Sequence, residues 1–333
     1  VVKRRRRALI TGVAGQDGSY LAELLLKKGY EVWGTVRTSA RPDLSNLSAV
    51  IESSRLHLVK ADMVDSESLF KAVDAAKPDE VYNLAAITHA PTSWLCPSLT
   101  LDVNGAGVSR ILEATRIVAP KARFYQASTS ELFGAVRTTP QNESTPFRPN
   151  HPYSSAKLAG HMVAVQYREQ YGMFVCCGIL FNHESPRRGD AFVTRKVTRA
   201  VARIAAGHRE VLSLWTLDTV RDWGFAGDYV RAMWLMLQQP KPDDYVVGTG
   251  KGRTVGELCQ IAFGIMGLDW RKWVEVKPPG WFKPDTGSRY VADPSKARRV
   301  LGWRPRWSFD RLICEMVESD RERLRASTEL DPL

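Results

Sequence analysis

Through the first 180 residues, short apolar runs alternate with amphipathic stretches. The runs at Ala8–Ile10, Glu31–Val36, Leu56–Val59, Glu80–Leu84, Arg123–Ala127 and Phe174–Leu180 predict strands. Between them, apolar residues recur at helical spacing over Gly18–Lys28, Ser66–Ala76, Val108–Val118 and Tyr153–Tyr171. Parallel neighbours need a crossover, and a helix supplies it, so the alternation predicts an α/β fold with a doubly wound parallel, Rossmann-like sheet. After Leu180 the texture changes. Pro186, Arg187, Arg188 and Gly189 break the pattern, helices are expected at Val193–Ala206 and Tyr229–Leu237, and eight of the ten Trp lie beyond position 214. A smaller, mixed C-terminal domain is expected there, with a Pro- and Gly-rich loop over Lys277–Asp293 and a closing helix over Phe309–Arg325.

Composition narrows the class. The chain has 333 residues, 44% hydrophobic and 25% charged, which suits a globular protein with a large core and no need of disulfides. No apolar run reaches membrane-spanning length and the N-terminus lacks a signal-peptide core, so a cytoplasmic protein without a membrane partner is expected. The five cysteines, Cys96, Cys176, Cys177, Cys259 and Cys314, show no metal-ligand spacing and are expected as reduced thiols, with no metal site. The formal charge of +11 includes five residues, Lys3 to Arg7, that read as a solvated leader. The remaining +6 suits an anionic small ligand, and no nucleic-acid partner is expected.

The chemistry sits at the ends of the predicted strands. Thr11-Gly12-Val13-Ala14-Gly15-Gln16-Asp17-Gly18 follows the first strand and opens a helix, so backbone amides and the helix dipole can face a pyrophosphate. The second strand ends in Arg37, where a carboxylate would favour NAD; a guanidinium there, with Arg41 as second donor, points to NADP. Asp62 and Met63 are placed to reach adenine, and Leu84, Ala85 and Ala86 are small enough to let a cofactor pass. Tyr153-Ser154-Ser155-Ala156-Lys157 puts a phenol and an ammonium on one helix face, where the lysine is expected to lower the tyrosine pKa. Ser128-Thr129-Ser130-Glu131 supplies a hydroxyl for the reacting oxygen and a carboxylate that a plain dehydrogenase does not need. Arg195, Arg199 and Arg203 form a basic stripe divided between a solvated face and one turned to a diphosphate.

These strings resemble those of the extended short-chain dehydrogenase/reductases. Gly12–Tyr20, Phe124–Leu132 and Phe181–Gly189 are similar, within that group, to the GDP-mannose 4,6-dehydratase family, and the resemblance runs from about Ala8 to Arg325. It implies that Thr129, Glu131, Tyr153 and Lys157 are catalytic. It also implies that Gly12, Gly15, Gln16, Asp17, Gly18, Arg37, Asp62, Met63, Leu84, Ala85, Ala86, Thr88, Tyr153, Lys157, His183 and Arg188 contact NADP. A nucleoside-diphosphate hexose, GDP-mannose foremost, would be held by Thr88, Ser130, Glu131, Asn182, Val193, Lys196, Leu214, Trp215, Arg221 and Lys283. The expected division is a cofactor domain over residues 1–183 with a return at about 221–248, and a nucleotide-sugar domain over 184–220 and 249–333.

The implied reaction oxidises carbon 4, with Tyr153 as base, removes the carbon-5 proton with Glu131, expels water from carbon 6 and returns the hydride there. Related dehydratases carry an Asp where Ser130 stands, so Glu131 or a bound water is expected to protonate the leaving hydroxyl as well. The chain departs from the family at Leu214-Trp215-Thr216, where Leu-Gly-Asn is expected, and at Lys283-Pro284-Asp285-Thr286-Gly287, where Arg-Pro-Ala-Glu-Val is expected. Base selectivity is therefore expected to fall or move. Trp281 is expected near the nucleotide, and a homodimer or homotetramer is expected, although the segment after Arg37 is short. The alternatives are a nucleotide-sugar 4-epimerase or 4-reductase, which would not need Glu131, a dehydratase of another nucleoside-diphosphate hexose, and a non-catalytic NADP-binding scaffold.

Overall fold

In a computed structural model, which describes residues 4–37, 42–278, 280 and 289–329 (327–329 by backbone alone), all six strands expected in the first 180 residues form. The order is β1 (Arg7–Thr11), α1 (Gln16–Lys27), β2 (Glu31–Val36), β3 (Leu56–Lys60), α2 (Ser66–Ala76), β4 (Glu80–Asn83), α3 (Ala90–Leu95), α4 (Pro97–Leu101), α5 (Gly107–Val118), β5 (Arg123–Thr129), α6 (Pro152–Tyr171) and β6 (Val175–Leu180). There follow β7 (His183–Glu184), α7 (Val193–Ala205), β8 (Leu212–Leu214), β9 (Val220–Asp222), β10 (Gly224–Phe225), α8 (Ala226–Met236), β11 (Asp244–Val247), β12 (Gly252–Thr254), α9 (Val255–Ile265), β13 (Val274–Val276), β14 (Arg289–Tyr290), α10 (Ser295–Leu301) and α11 (Phe309–Glu329).

Seven strands form one parallel sheet in the order β11-β6-β5-β4-β1-β2-β3. Successive residues of β1 point to opposite faces, as the pleat requires. Ile10 packs with Leu21 and Leu25 of α1 and Val230 and Met233 of α8, while Leu9 packs with Leu69 and Val73 of α2 and Ile111 and Leu112 of α5. Burial on both faces explains why these strands read as continuous apolar runs. A separate core joins Val197 and Val201 of α7, Leu258 and Phe263 of α9, and Ile313 and Met316 of α11. Around it lie sheets of only two or three short strands, β12-β9-β14, β13-β8 and β10-β7.

Four sequence expectations are corrected. From Arg4 onward the basic leader is part of the fold: Arg4 pairs with Asp79 at 2.5 Å, Arg6 donates to Gln238 at 2.7 Å, and Arg7 opens β1 and pairs with Glu31 at 3.0 Å. The arginine stripe is turned to carboxylates, with Arg195 buried and Arg199 and Arg203 still partly exposed. Arg195 is buried against Asp320 of α11 at 2.5 Å, Arg199 pairs with Asp190, and Arg203 pairs with Glu210 at 2.7 Å. The helix expected from Val108 begins earlier, running on from Pro97 through a π-turn at Asp102–Ala106. Arg289 and Tyr290, within the expected loop, form β14 against β9. Among the described residues no helix is long and apolar enough to cross a membrane, and no cluster of His, Cys, Asp or Glu could hold a metal.

Candidate active site

Strand order reverses between β1 and β4, which opens a crevice at their carboxyl ends. A polar ladder fixes those ends: Thr11 Oγ1 donates to Asn83 Oδ1 at 2.7 Å, and Asn83 Nδ2 donates to Gln126 Oε1 at 2.9 Å. Gly12 has φ +71°, and a Cβ there would lie 3.0 Å from the Cα of Ala85; at Gly18 a Cβ would lie 2.3 Å from the Gly12 carbonyl oxygen. Only glycine permits this turn and this approach. Gly15 precedes α1 without a side-chain cap, so the first-turn amides are left for a ligand.

A cavity of about 480 Å³ continues from this crevice toward the C-terminal segments. Asp17 and His183 meet at its wall, 2.7 Å apart. Burial opposes both charges, yet His183 draws the Asp17 pKa below the ordinary carboxylate range, and Asp17 raises that of His183. Gln16 is turned away from the cavity: it donates to Asp17 and to the His183 carbonyl and accepts from Ser185. Leu84, Ala86, Thr88 and Arg188 line the cavity, whereas Ala85 stands behind it against Gly12. Arg37 is exposed directly after β2, and Asp62 caps its own turn by accepting from Val64 at 3.2 Å. Met63 is buried beneath α5. These three lie outside the cavity lining, along the carboxyl ends of β2 and β3. Arg41 lies outside the described residues.

The catalytic candidates converge where β5 ends. Thr129 caps the short turn Ser130–Phe133, accepting from the Glu131 amide at 3.3 Å, and its hydroxyl favours the ionised form of the neighbouring Tyr153 phenol. His151 caps α6 and Pro152 occupies the first turn, where its fixed φ and missing donor are tolerated. Tyr153 and Lys157 then fall on the buried face of α6. The expected lowering of the Tyr153 pKa is not found. Burial pushes it up to about 12, outweighing the Thr129 hydroxyl, and burial pushes Lys157 down to about 8. The Lys157 ammonium is directed at the Ala127 carbonyl, which also accepts from Gln126 at 3.2 Å. Glu131 behaves differently: burial would raise its pKa, but His151 and Arg221 hold it below the ordinary range.

Ser130 stands beside Glu131, and Asn182, Val193, Lys196, Leu214, Trp215 and Arg221 line the cavity across from it. The Lys196 ammonium is 5.7 Å from the Trp215 ring centre, and the Arg221 guanidinium is 4.4 Å from that of Tyr290. Asp222, next to Arg221 on β9, accepts from Thr249, Gly250 and Ala292. Lys283, Trp281, Pro284, Asp285, Thr286 and Gly287 lie outside the described residues. Sequence reasoning missed His89, Tyr290 and His151 in the lining. Only His151 carried a signal, as a cap followed by proline at the start of the helix. Asn182 Oδ1 is buried without a hydrogen-bond partner, Arg188 lines the cavity with its Nε 3.2 Å from Glu184 Oε2, and with the glycine turn they fit a dinucleotide and a phosphorylated ligand.

A parallel sheet with a glycine cradle, a Tyr-x-x-x-Lys helix and a second, mixed lobe defines an extended short-chain dehydrogenase/reductase. The dTDP-glucose 4,6-dehydratase of Streptomyces venezuelae, solved with NAD bound, superposes with a TM-score of 0.86 at 27% identity, over 98% of this chain and 100% of that one. The UDP-glucose 4-epimerase of Thermotoga maritima, solved with UDP-glucose, gives 0.85 at 26% identity over 95% and 99%. A model of the GDP-mannose 4,6 dehydratase family matches residues 9–316, and the chain belongs to that family. It is 49% identical to GDP-mannose 4,6 dehydratase 2 of Arabidopsis thaliana, over 97% of this chain and 88% of the relative. It is 43% identical to the GDP-mannose 4,6-dehydratase of Yersinia enterocolitica, over 96% and 95%.

Proposed function

We propose that this protein is a sugar-nucleotide 4,6-dehydratase that converts GDP-mannose to GDP-4-keto-6-deoxymannose with a tightly held NADP. The observation that carries the reading is the Glu131 carboxylate, held ionised in the same cavity as Thr129 and Tyr153. A 4-epimerase or 4-reductase has no step that removes the carbon-5 proton and so no need of this carboxylate. Family membership supports the substrate, and the exposed Arg37 after β2 supports a 2′-phosphate on the cofactor.

The α1 amides, Asp17, His183 and Arg188 would hold the cofactor, and Asn182, Val193, Lys196 and Arg221 the nucleoside diphosphate. When bound, the nicotinamide accepts a hydride from carbon 4 and supplies it to carbon 6. Thr129 holds the carbon-4 oxygen, and Tyr153, with Lys157 one turn away, takes its proton. The ketone acidifies carbon 5, whose proton Glu131 removes. With the neutral hydroxyl of Ser130 beside it, Glu131 also hands a proton to the carbon-6 hydroxyl, which leaves as water. Tyr153 returns its proton to carbon 5, so every protein group ends as it began. The buried Lys157 and the closed wall around Tyr153 exclude water from this exchange.

The exposed apolar side chains of Trp94, Leu95, Leu99 and Leu101 support a homo-oligomer. Glu131→Gln tests the function. With GDP-mannose it should still reduce the bound cofactor, whereas release of 4-keto product should fall by about 10²-fold or more. Denatured wild-type protein should release NADP or NADPH. Normal turnover by the variant, or recovery of NAD alone, refutes the corresponding part.

A further inference from the structure

His151 has no place in the catalytic steps above, yet it touches two of the groups that carry them. At the cap of α6 its Nδ1 accepts the Ser154 amide at 3.2 Å. An amide can only donate, so Nδ1 carries a lone pair and the ring hydrogen sits on Nε2. Nε2 lies 3.2 Å from Glu131 Oε2 and therefore donates to the carboxylate. The imidazole also lies nearly parallel to the Tyr153 phenol, at 8°, with ring centres 6.0 Å apart. Backbone on one side and carboxylate on the other thus fix both the tautomer and the plane of the ring.

We infer that His151 is the positioning residue of the elimination base: its Nε2–H holds Oε2 of Glu131, leaving Oε1 to take the carbon-5 proton from an ionised carboxylate. This rests on the dehydratase reading above. In the step itself the carbon-5 proton goes to Oε1, and the electron pair of that C–H bond forms the carbon 5–carbon 6 double bond as the hydroxyl leaves as water.

The charged and titratable groups that face Glu131 are His151 at the cap of α6, Tyr153 on α6 itself and Arg221 from β9. Burial works against the carboxylate, and the His151 hydrogen bond, followed by Arg221, more than offsets it. Removing the His151 donor therefore raises the Glu131 pKa, and the base is lost at a higher pH than in the wild type.

Two substitutions separate this role from capping. Counted in bonds from Cα, the amide of Asn stands where Nδ1 stands, and that of Gln where Nε2 stands. His151→Asn keeps a good helix cap and loses the donor to Glu131. His151→Gln keeps the donor and loses the cap. With GDP-mannose, the Asn variant should show unchanged Tm, KM within twofold, kcat down about tenfold at every pH because the carboxylate is no longer held in place, and an acid limb about one pH unit higher. The Gln variant should keep kcat and the acid limb within about twofold while Tm drops by a few degrees.

An Asn variant with the wild-type acid limb, or a Gln variant as impaired as Asn, overturns the inference. A second readout needs no substrate: the Glu131 carboxyl, assigned by its loss in Glu131→Gln, is titrated by ¹³C NMR. Its pKa should rise in His151→Asn and stay in place in His151→Gln; no rise in the Asn variant overturns the inference. Failure of the wild type to convert GDP-mannose would instead remove the dehydratase reading, and the titration would still decide whether His151 holds the carboxylate.

Discussion

The two walls of the cavity are built by different means. On the sheet side, Thr129, Glu131, Tyr153 and Lys157 stand at the ends of a seven-residue strand and a twenty-residue helix, and directional hydrogen bonds hold the side chains of Thr129, Glu131 and Lys157 and the backbone of Tyr153. On the opposite side, cations are laid over rings, Lys196 of α7 on Trp215 just past β8, and Arg221 of β9 on Tyr290 of β14, two strands of three and two residues. Hydrogen bonds fix distance and angle, whereas a ring face tolerates sliding of its partner. Reacting atoms must be held to within a fraction of an ångström, but a nucleotide can be held by area. The difference teaches that reaction and recognition in this molecule rest on separable supports.

The largest effect should come from the rigid wall. Tyr153→Phe removes the proton acceptor at carbon 4, and kcat/KM for 4-keto product should fall about 10³-fold with the fold intact by circular dichroism. A loss of less than tenfold would mean that another group takes that proton, and the contrast would collapse. A smaller effect is expected from the soft wall. Trp215→Ala should raise KM for GDP-mannose about fivefold with kcat nearly unchanged, the order of magnitude of one aromatic contact. Because an indole stacks on any base, the ratio of rates on GDP-mannose and on other nucleoside-diphosphate hexoses should hardly move; a tenfold change in that ratio would show that Trp215 discriminates.

The smallest effect tests the pairing within the rigid wall by pH. His183 is raised above its ordinary value by Asp17, so its protonated form adds stability that is complete below about pH 6.5 and is lost as pH rises through its folded pKa. Asp17 is lowered, so its contribution is present above about pH 3.9 and is lost as pH falls through its folded pKa. Between those limits the pair stabilises the fold. Asp17→Asn should bring the His183 titration, followed by NMR, below 6.5, because burial and the neighbouring Arg188 then oppose the charge and only the Phe181 carbonyl still favours it. A His183 titration that stays above 6.5 in that variant would assign the shift to a different neighbour.

What could be read from the sequence follows the same division. β1 to β6 were legible because burial on both faces makes each a continuous apolar run, and the glycine turn and Tyr153-Lys157 were legible because a fixed spacing on a regular element fixes which side chains meet. Elements such as β9 and β14 span two or three residues, too few for any period to show. Arg195 misled for a related reason: helical spacing placed it on a stripe, but the residue that neutralises it, Asp320, is 125 positions away. The Tyr153 pKa was misjudged because proximity on a helix predicts the lysine's pull and says nothing of how deeply both are buried. His151 escaped because a capping histidine looks like any other residue before a proline until its second nitrogen is seen against Glu131.

The ladder from Thr11 through Asn83 to Gln126 ends on the Ala127 carbonyl, the same oxygen that receives the Lys157 ammonium. Thr11 and Asn83 are register partners, as are Asn83 and Gln126, so the chain of bonds runs straight across three strands. The glycine turn that would carry the cofactor and the lysine that serves the chemistry are thereby measured from one common datum, the sheet itself. Insertions, deletions or exchanges in the segments beyond Leu180 leave that datum untouched. A lineage can therefore revise the nucleotide wall without retuning the distances on which catalysis depends.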